Sequence, residues 1–133
     1  MKIESIESLW EKDSKIDSVD LKGESLKIPQ LHEKYFKILN QEVLSLKYIE
    51  SQLTIVRKKK WAYYTGISID ENNNEVFPVA KGKKFVKDDI NAFIDGDQEY
   101  QDTKLKIEYQ EQKIKYLESI KKDTQIFMRI KVF

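Results

Sequence analysis

The chain has 133 residues, a length that suits one domain. Charged residues make up 35% of it and the hydrophobic set 40%, while the formal net charge is only +1. This balance favours long charged helices with an apolar stripe and excludes a global basic field, so any nucleic-acid binding must come from local clusters. Cysteine is absent, which excludes disulfides, thiolate metal sites and cysteine nucleophiles.

The first predicted element is a short helix over residues 3–12, followed by a connection over residues 13–23. Apolar side chains recur along the short helix at helical spacing and share one face. They are Ile3, Ile6, Leu9 and Trp10. No window of the chain approaches the roughly 18 consecutive apolar residues of a membrane helix, so no membrane association is expected.

A long helix is predicted over residues 29–65, with Pro29 in its first turn and Gly66 as its stop. A heptad frame places an apolar or aromatic residue at seven of nine seam positions. The exceptions are Glu42 and Lys60, and a cation in the seam is expected to cost stability unless the packing opens there. The nine positions are Tyr35, Leu39, Glu42, Leu46, Ile49, Leu53, Val56, Lys60 and Tyr63.

Residues 66–87 interrupt the helical period and are predicted as an irregular loop or a small β-hairpin. A second long helix is predicted over residues 88–130, with Gly96 as a point of kinking or interruption. These elements predict an all-α fold over a single domain, residues 1–133, in which the two long helices form an antiparallel hairpin. Apolar side chains outside the seam predict that several copies associate.

The strongest local signal is a run of four cations followed closely by three aromatic residues. Single-strand binders need cations for phosphates and aromatic faces for unstacked bases. In the alternative interpretation, Trp61 and Tyr63 belong to the core and the cations form a solvated helix end, where they also satisfy the helix dipole. The candidate DNA-binding residues are Arg57, Lys58, Lys59, Lys60, Trp61, Tyr63 and Tyr64.

Three further features carry weaker predictions. Six acidic residues over 88–102 are interpreted as a solvated helix start, because their spacing does not fit a calcium loop. The single histidine, His32, excludes a multi-histidine metal site and is assigned to the helix surface or seam. A second basic cluster is either an auxiliary DNA contact or a plain solvated loop. It consists of Lys81, Lys83, Lys84 and Lys87.

No catalytic-triad order and no glycine-rich nucleotide loop is present, so neither a catalytic residue nor a metal or cofactor is predicted. Three other functional classes remain as alternatives. The first is a coiled-coil scaffold or adaptor, which explains the heptads but gives no reason for the basic run. The second is a protein of the membrane surface, against which the interspersed acids argue. The third is a magnesium-dependent enzyme using Asp88, Asp89 and Asp95, which lacks a supporting second cluster.

Several stretches, in order and spacing, resemble the phage recombination mediator family known as UvsY. The resemblance covers roughly residues 10–120 and includes the acidic start of the last helix, from Asp88 to Asp95. Its other stretches are Lys12-Asp13, Ile16-Asp17, Leu31-His32-Glu33-Lys34-Tyr35 and Lys58-Lys59-Lys60-Trp61-Ala62-Tyr63-Tyr64-Thr65-Gly66. The chain departs from the family in its shorter C-terminal end, in Ala62, where the family has an acidic residue, and in Lys60, where arginine is frequent.

The resemblance implies an oligomeric protein that binds single-stranded DNA and acts in the cytoplasm of an infected bacterium. Such proteins help load a recombinase onto strands occupied by single-strand-binding protein. The family's DNA-binding basic residues match Lys58 and Lys60. The expected assembly is a homo-oligomeric helical ring, a hexamer or heptamer, with the basic helix ends along one rim.

Overall fold

The computed structural model describes residues 1–15, 21–66 and 87–130, and every regular element within these ranges is helical. The predicted all-α class is therefore confirmed for this part of the chain. The predicted loop or β-hairpin over residues 66–87 lies, apart from its two end residues, outside the described ranges. The helices in chain order are α1 (Ile3–Asp13), α2 (Leu21–Tyr64), α3 (Lys87–Asp95) and α4 (Gln98–Ile130).

Helix α2 begins at Leu21, well before Pro29, which lies inside the helix. The predicted start at Pro29 is therefore wrong. Proline removes one backbone hydrogen bond and crowds the preceding turn, but the chain on its N-terminal side can still be helical at a cost in stability. Glu24 lies in the first turn and pairs with Lys27 at 3.0 Å, which supports the added turns.

The C-terminal end of α2 agrees closely with the predicted stop. The helix ends at Tyr64, and Gly66 has a φ of 76°, in the left-handed region that glycine adopts without steric cost. The Thr65 hydroxyl donates to the carbonyl of Trp61 at 2.8 Å and also lies 3.1 Å from that of Ala62. The Trp61 carbonyl also accepts the Thr65 N–H, whereas the Gly66 N–H donates to Tyr63, so the Thr65 hydroxyl serves the Ala62 carbonyl in place of a helical partner.

The second long helix, predicted over residues 88–130, is interrupted at Gly96 as that prediction allowed, and the chain forms two helices separated at Gly96 and Asp97. The Gly96 N–H still donates to the carbonyl of Ala92 and closes α3. Asp97 then begins a new helix, since its Oδ1 accepts the backbone N–H of Tyr100 at 3.1 Å. This is the geometry of an aspartate N-cap, which stabilises the start of α4.

Two compact units are present, one formed by Met1–Ser45 with Gln110–Phe133 and the other by Leu46–Tyr109. The single-domain assignment stays a prediction. Within each unit the paired segments run antiparallel. In the first, His32 contacts Thr124 and Glu42 contacts Gln110. In the second, Arg57 contacts Tyr100 and Tyr64 contacts Asp97, so the segments have the direction that the hairpin predicts.

The core of the first unit joins α1 to the two long helices. Trp10 packs edge-on against Tyr35, with ring centroids 5.3 Å apart. Asp13 at the end of α1 accepts hydrogen bonds from the Tyr35 hydroxyl at 2.8 Å and from Lys34 at 2.6 Å. Two of the stretches that carry the family resemblance therefore meet at Asp13. The buried apolar side chains of this unit are Ile6, Tyr35, Leu39, Ile114, Leu117 and Ile120.

Glu42, one of the two charged seam residues, lies in a buried polar cluster of the first unit. Its Oε2 accepts a hydrogen bond from Gln110 Nε2 at 2.6 Å and lies 3.2 Å from Lys113 Nζ. Only 10% of the Glu42 side chain and 7% of the Lys113 side chain are exposed. The seam therefore accommodates a carboxylate because α4 supplies its counter-charge.

Candidate nucleic-acid interface

The four predicted cations, Arg57 to Lys60, lie near the C-terminal end of α2, and we call them the basic segment. Their unit has a small apolar core formed by Ile90, Ile94 and Tyr100, with Leu53, Val56, Trp61 and Tyr64 packed against it. Helix α3 and the start of α4 supply the three central residues. The basic segment therefore lies on a helix that is anchored to the acidic region over residues 88–102.

Arg57 is directed to the neighbouring helices. Its guanidinium donates to the Tyr100 hydroxyl at 3.1 Å and to Asn91 Oδ1 at 3.0 Å. Its Nη1 also lies 3.8 Å from Asp95, whose side chain is 64% exposed. The planar fork of arginine suits two simultaneous acceptors. Arg57 thus holds α2 to α3 and α4, in addition to its predicted role in DNA binding.

Lys60 occupies a partly buried position against two carboxylates. Its Nζ lies 3.0 Å from Glu99 Oε2 and 3.4 Å from Asp97 Oδ2, and only 17% of its side chain is exposed. Burial by itself lowers the pKa of the ammonium, but the two carboxylates outweigh it and raise the pKa above its ordinary value of 10.5. Lys60 is therefore charged at neutral pH, and the two carboxylates, not an opening of the seam, accommodate it.

Asp97 joins three structural roles in one side chain. One oxygen caps α4 through Tyr100, while the other accepts the Tyr64 hydroxyl at 2.7 Å and lies beside Lys60. Burial opposes ionisation of this carboxyl, but the hydrogen bonds and the lysine charge outweigh it and hold its pKa below the ordinary value of 3.8. The same contact and burial raise the pKa of Tyr64 to about 12.

Lys58 and Lys59 are the exposed members of the basic segment. Lys59 Nζ lies 3.9 Å from Glu99 Oε1, at the outer limit of an ion pair, and both side chains are nearly half exposed. For Lys58, the described ranges contain no ion-pair partner. Of the four cations, only Lys60 is largely buried; Arg57 is as exposed as Lys59 but contacts α3 and α4.

The three aromatic residues are also divided by the fold. Trp61 and Tyr64 pack against the apolar core of their unit, and the Tyr64 ring stacks on Phe93 at 5.7 Å. Tyr63 is half-buried, lies edge-on to Tyr64 and has the Lys60 ammonium 5.7 Å from its ring centre. The packing of Trp61 agrees with the alternative interpretation, in which this residue belongs to the core. Tyr64, which that interpretation did not include, also packs against the core.

Asp97 and Glu99 were not predicted as partners of the basic segment. The acidic region over residues 88–102 was predicted to be a solvated helix start, and Asp88 and Asp89 do lie exposed in the first turn of α3. The antiparallel arrangement, however, brings Asp97 and Glu99 opposite Lys60. The available signal was the placement of cations at the end of the first long helix and of acids at the start of the second, both at the loop end of the predicted hairpin.

Three residues of the auxiliary basic cluster, Lys81, Lys83 and Lys84, lie outside the described residues. Lys87 is exposed at the first position of α3.

His32 lies in the first unit, where its Nδ1 is 2.7 Å from the Thr124 hydroxyl. Across residues 1–15, 21–66 and 87–130, no group of side chains has the arrangement of a metal site. No helix in these ranges is long and apolar enough to span a membrane.

One family profile matches the chain over residues 9–130, that of the family described as "Recombination, repair and ssDNA binding protein UvsY". The match covers nearly the whole chain and includes the basic segment, the aromatic residues that follow it and the acidic region opposite. No curated protein and no solved structure gives a significant match.

Proposed function

Because the chain belongs to the UvsY family of recombination, repair and single-stranded DNA-binding proteins, we propose that it is a recombination mediator with its strand-binding site at the basic segment. In this role it helps load a recombinase onto strands covered by single-strand-binding protein, in the cytoplasm of a phage-infected bacterium. The observation that supports the site best is the exposed position of Lys58 and Lys59 on a helix end fixed to its neighbours.

The chemistry of the site is phosphate neutralisation without a reaction step. Lys58 and Lys59 present ammonium groups to the backbone of a strand, and the half-buried Tyr63 ring beside Lys60 offers an aromatic surface for base contact. Lys81, Lys83, Lys84 and Lys87 are proposed as auxiliary contacts. Ammonium groups that bind phosphates and an aromatic ring that can stack on any base do not distinguish one base from another, so we propose binding with little base specificity.

Single-stranded oligonucleotide is expected to bind several-fold more tightly than duplex of the same length. The reason is that unstacked bases reach aromatic side chains only in a single strand, whereas both forms offer phosphates. The measurement is fluorescence anisotropy of a labelled single strand, with unlabelled single strand or duplex as competitor. Equal competition by the two forms would contradict the proposal, and an absence of binding would favour the scaffold alternative.

We also propose that several copies assemble into a ring. Exposed apolar side chains on both units support association, because their burial is worth about 25 cal/mol per Å². Linked sites would then engage one strand at high effective concentration. Light scattering is expected to give a mass of several chains, and a full-length monomer at micromolar concentration would contradict this assembly. The most exposed of these side chains are Met1, Leu26, Leu44, Tyr48, Ile55 and Leu105.

A further inference from the structure

The acidic start of α4 carries an inference that rests on the proposed function and concerns its regulation. We infer that Glu99 competes with strand phosphates for Lys60 and Lys59, so that full engagement of the basic segment requires Glu99 to move away. The carboxylate thereby limits the affinity of the proposed site for single-stranded DNA.

Glu99 bridges the two lysines that neighbour it on α2. One carboxylate oxygen lies 3.0 Å from Lys60 Nζ, and the other lies 3.9 Å from Lys59 Nζ. A phosphate oxygen that approached either ammonium would compete for the same donors and would be repelled by the carboxylate charge. Two of the four cations in the basic segment are therefore already paired by a group of the sign and geometry that DNA would supply.

Asp97 and Glu99 differ in how firmly they are held. Asp97 has 9% of its side chain exposed and is fixed by the Tyr100 N–H, the Tyr64 hydroxyl and Lys60. Glu99 has 46% of its side chain exposed, and in the described part of the chain its carboxylate contacts only the two lysines. Glu99 is therefore the partner that can leave, while Asp97 keeps Lys60 in place.

The energetic balance allows this exchange. An ion pair with a partly exposed carboxylate is worth about 0–1 kcal/mol in water, so a phosphate can displace it. The cost of displacement is subtracted from the affinity for DNA at every site. A mediator that must hand its strand to a recombinase has use for such weakened binding, since a lower affinity shortens the lifetime of the complex.

The test is Glu99→Gln in the full-length protein, measured by anisotropy with a labelled oligothymidylate at low salt. We expect binding about three-fold or more tighter than wild type, because Gln keeps the shape and removes the competing charge. The matched control is Glu108→Gln, which makes the same charge change at an exposed position of α4 in the same unit. A gain in both variants of equal size would overturn the inference, because it would reflect net charge alone.

A double variant separates competition at Lys60 from a general effect. In a Lys60→Ala background, Glu99→Gln is expected to give a smaller gain than in wild type, since the two side chains then no longer interact. An unchanged gain would overturn direct competition at Lys60. If the wild-type protein binds DNA but Glu99→Gln binds no more tightly, the inference is overturned and the proposed function stands. If neither protein binds DNA, both are overturned. Circular dichroism verifies that the variants keep their helical content.

Discussion

Replacing Lys113 with methionine is expected to lower the free energy of unfolding by about 3 kcal/mol. The side chains of Lys113 and Glu42 are at least nine-tenths buried and face each other at 3.2 Å. Methionine fills similar volume but leaves the Glu42 carboxylate without its buried cation, with only the partly exposed Met1 ammonium 3.6 Å from its Oε1. A buried charge that loses its buried partner is strongly destabilising. Urea unfolding followed by circular dichroism, at one fixed protein concentration, measures the change.

Lys115→Met is the matched control, because Lys115 is an exposed residue of α4 in the same unit. Its effect is expected to stay within about 0.5 kcal/mol. The double replacement Glu42→Leu with Lys113→Met is expected to recover much of the loss, since it removes both buried charges together. A loss of similar size for Lys113→Met and Lys115→Met would show that the buried pair does not stabilise the fold.

The same pair gives the unfolding free energy a dependence on pH. Burial opposes ionisation of Glu42, but Gln110 and Lys113 outweigh it and lower its pKa below the ordinary 4.5. A lowered pKa in the folded state contributes stability above the unfolded-state value, and this stability is lost as the pH falls through the folded-state value. Because Lys113 causes part of the lowering, Lys113→Met is expected to lose less stability than wild type between about pH 5 and pH 3.

The two exceptions in the heptad frame show how far the sequence could predict the fold. Periodicity located the seam, and within it Tyr35 and Leu39 are buried as expected. Periodicity could not show which groups balance the charges of Glu42 and Lys60, because those groups lie on α4 and on Asp97, the residue that precedes α4. The alignment of α2 with α4 depends on the path of the connecting segment, which local pattern does not determine.

Some helix boundaries could likewise be predicted from local sequence signals, whereas others depend on tertiary contacts. Gly66 has a local signal, a glycine after a long run without helix breakers, and the end of α2 was predicted closely. Pro29 was a misleading local signal, because a proline weakens a helix without always ending it. The break before α4 depends on Asp97, whose capping role is local. Its contacts with Tyr64 and Lys60, however, require the tertiary arrangement.

Replacing both Lys58 and Lys60 with alanine is expected to weaken binding of single-stranded DNA roughly ten-fold at low salt, about 1.4 kcal/mol. Each phosphate contact that is lost also flattens the log–log salt dependence by about 0.7. The two single variants are expected to differ. Lys58 is exposed without an ion-pair partner in the described ranges, whereas Lys60 is already paired with Asp97 and Glu99. Lys58→Ala should therefore account for most of the change in slope.

Lys60→Ala is expected to have a second effect, on stability. Because Lys60 lies at a seam position, the sequence predicts that alanine there stabilises the hairpin. The structure, however, places two carboxylates against this lysine. Removing the ammonium leaves Asp97 buried with hydrogen bonds but without its cation, so the unfolding free energy is expected to fall. Urea unfolding of the two single variants, side by side, measures this difference.

Anisotropy across a salt series tests both lysines against a matched double control, Lys47→Ala with Lys106→Ala. These lysines are exposed on α2 and α4 in the same unit as the basic segment, so the control removes equal charge. Helical content and oligomer mass are expected to remain those of wild type in every variant. If Lys58→Ala with Lys60→Ala binds with the affinity and slope of this control, the strand-binding site lies elsewhere. The basic cluster from Lys81 to Lys87 then becomes the next candidate, to be tested by the same replacement with alanine.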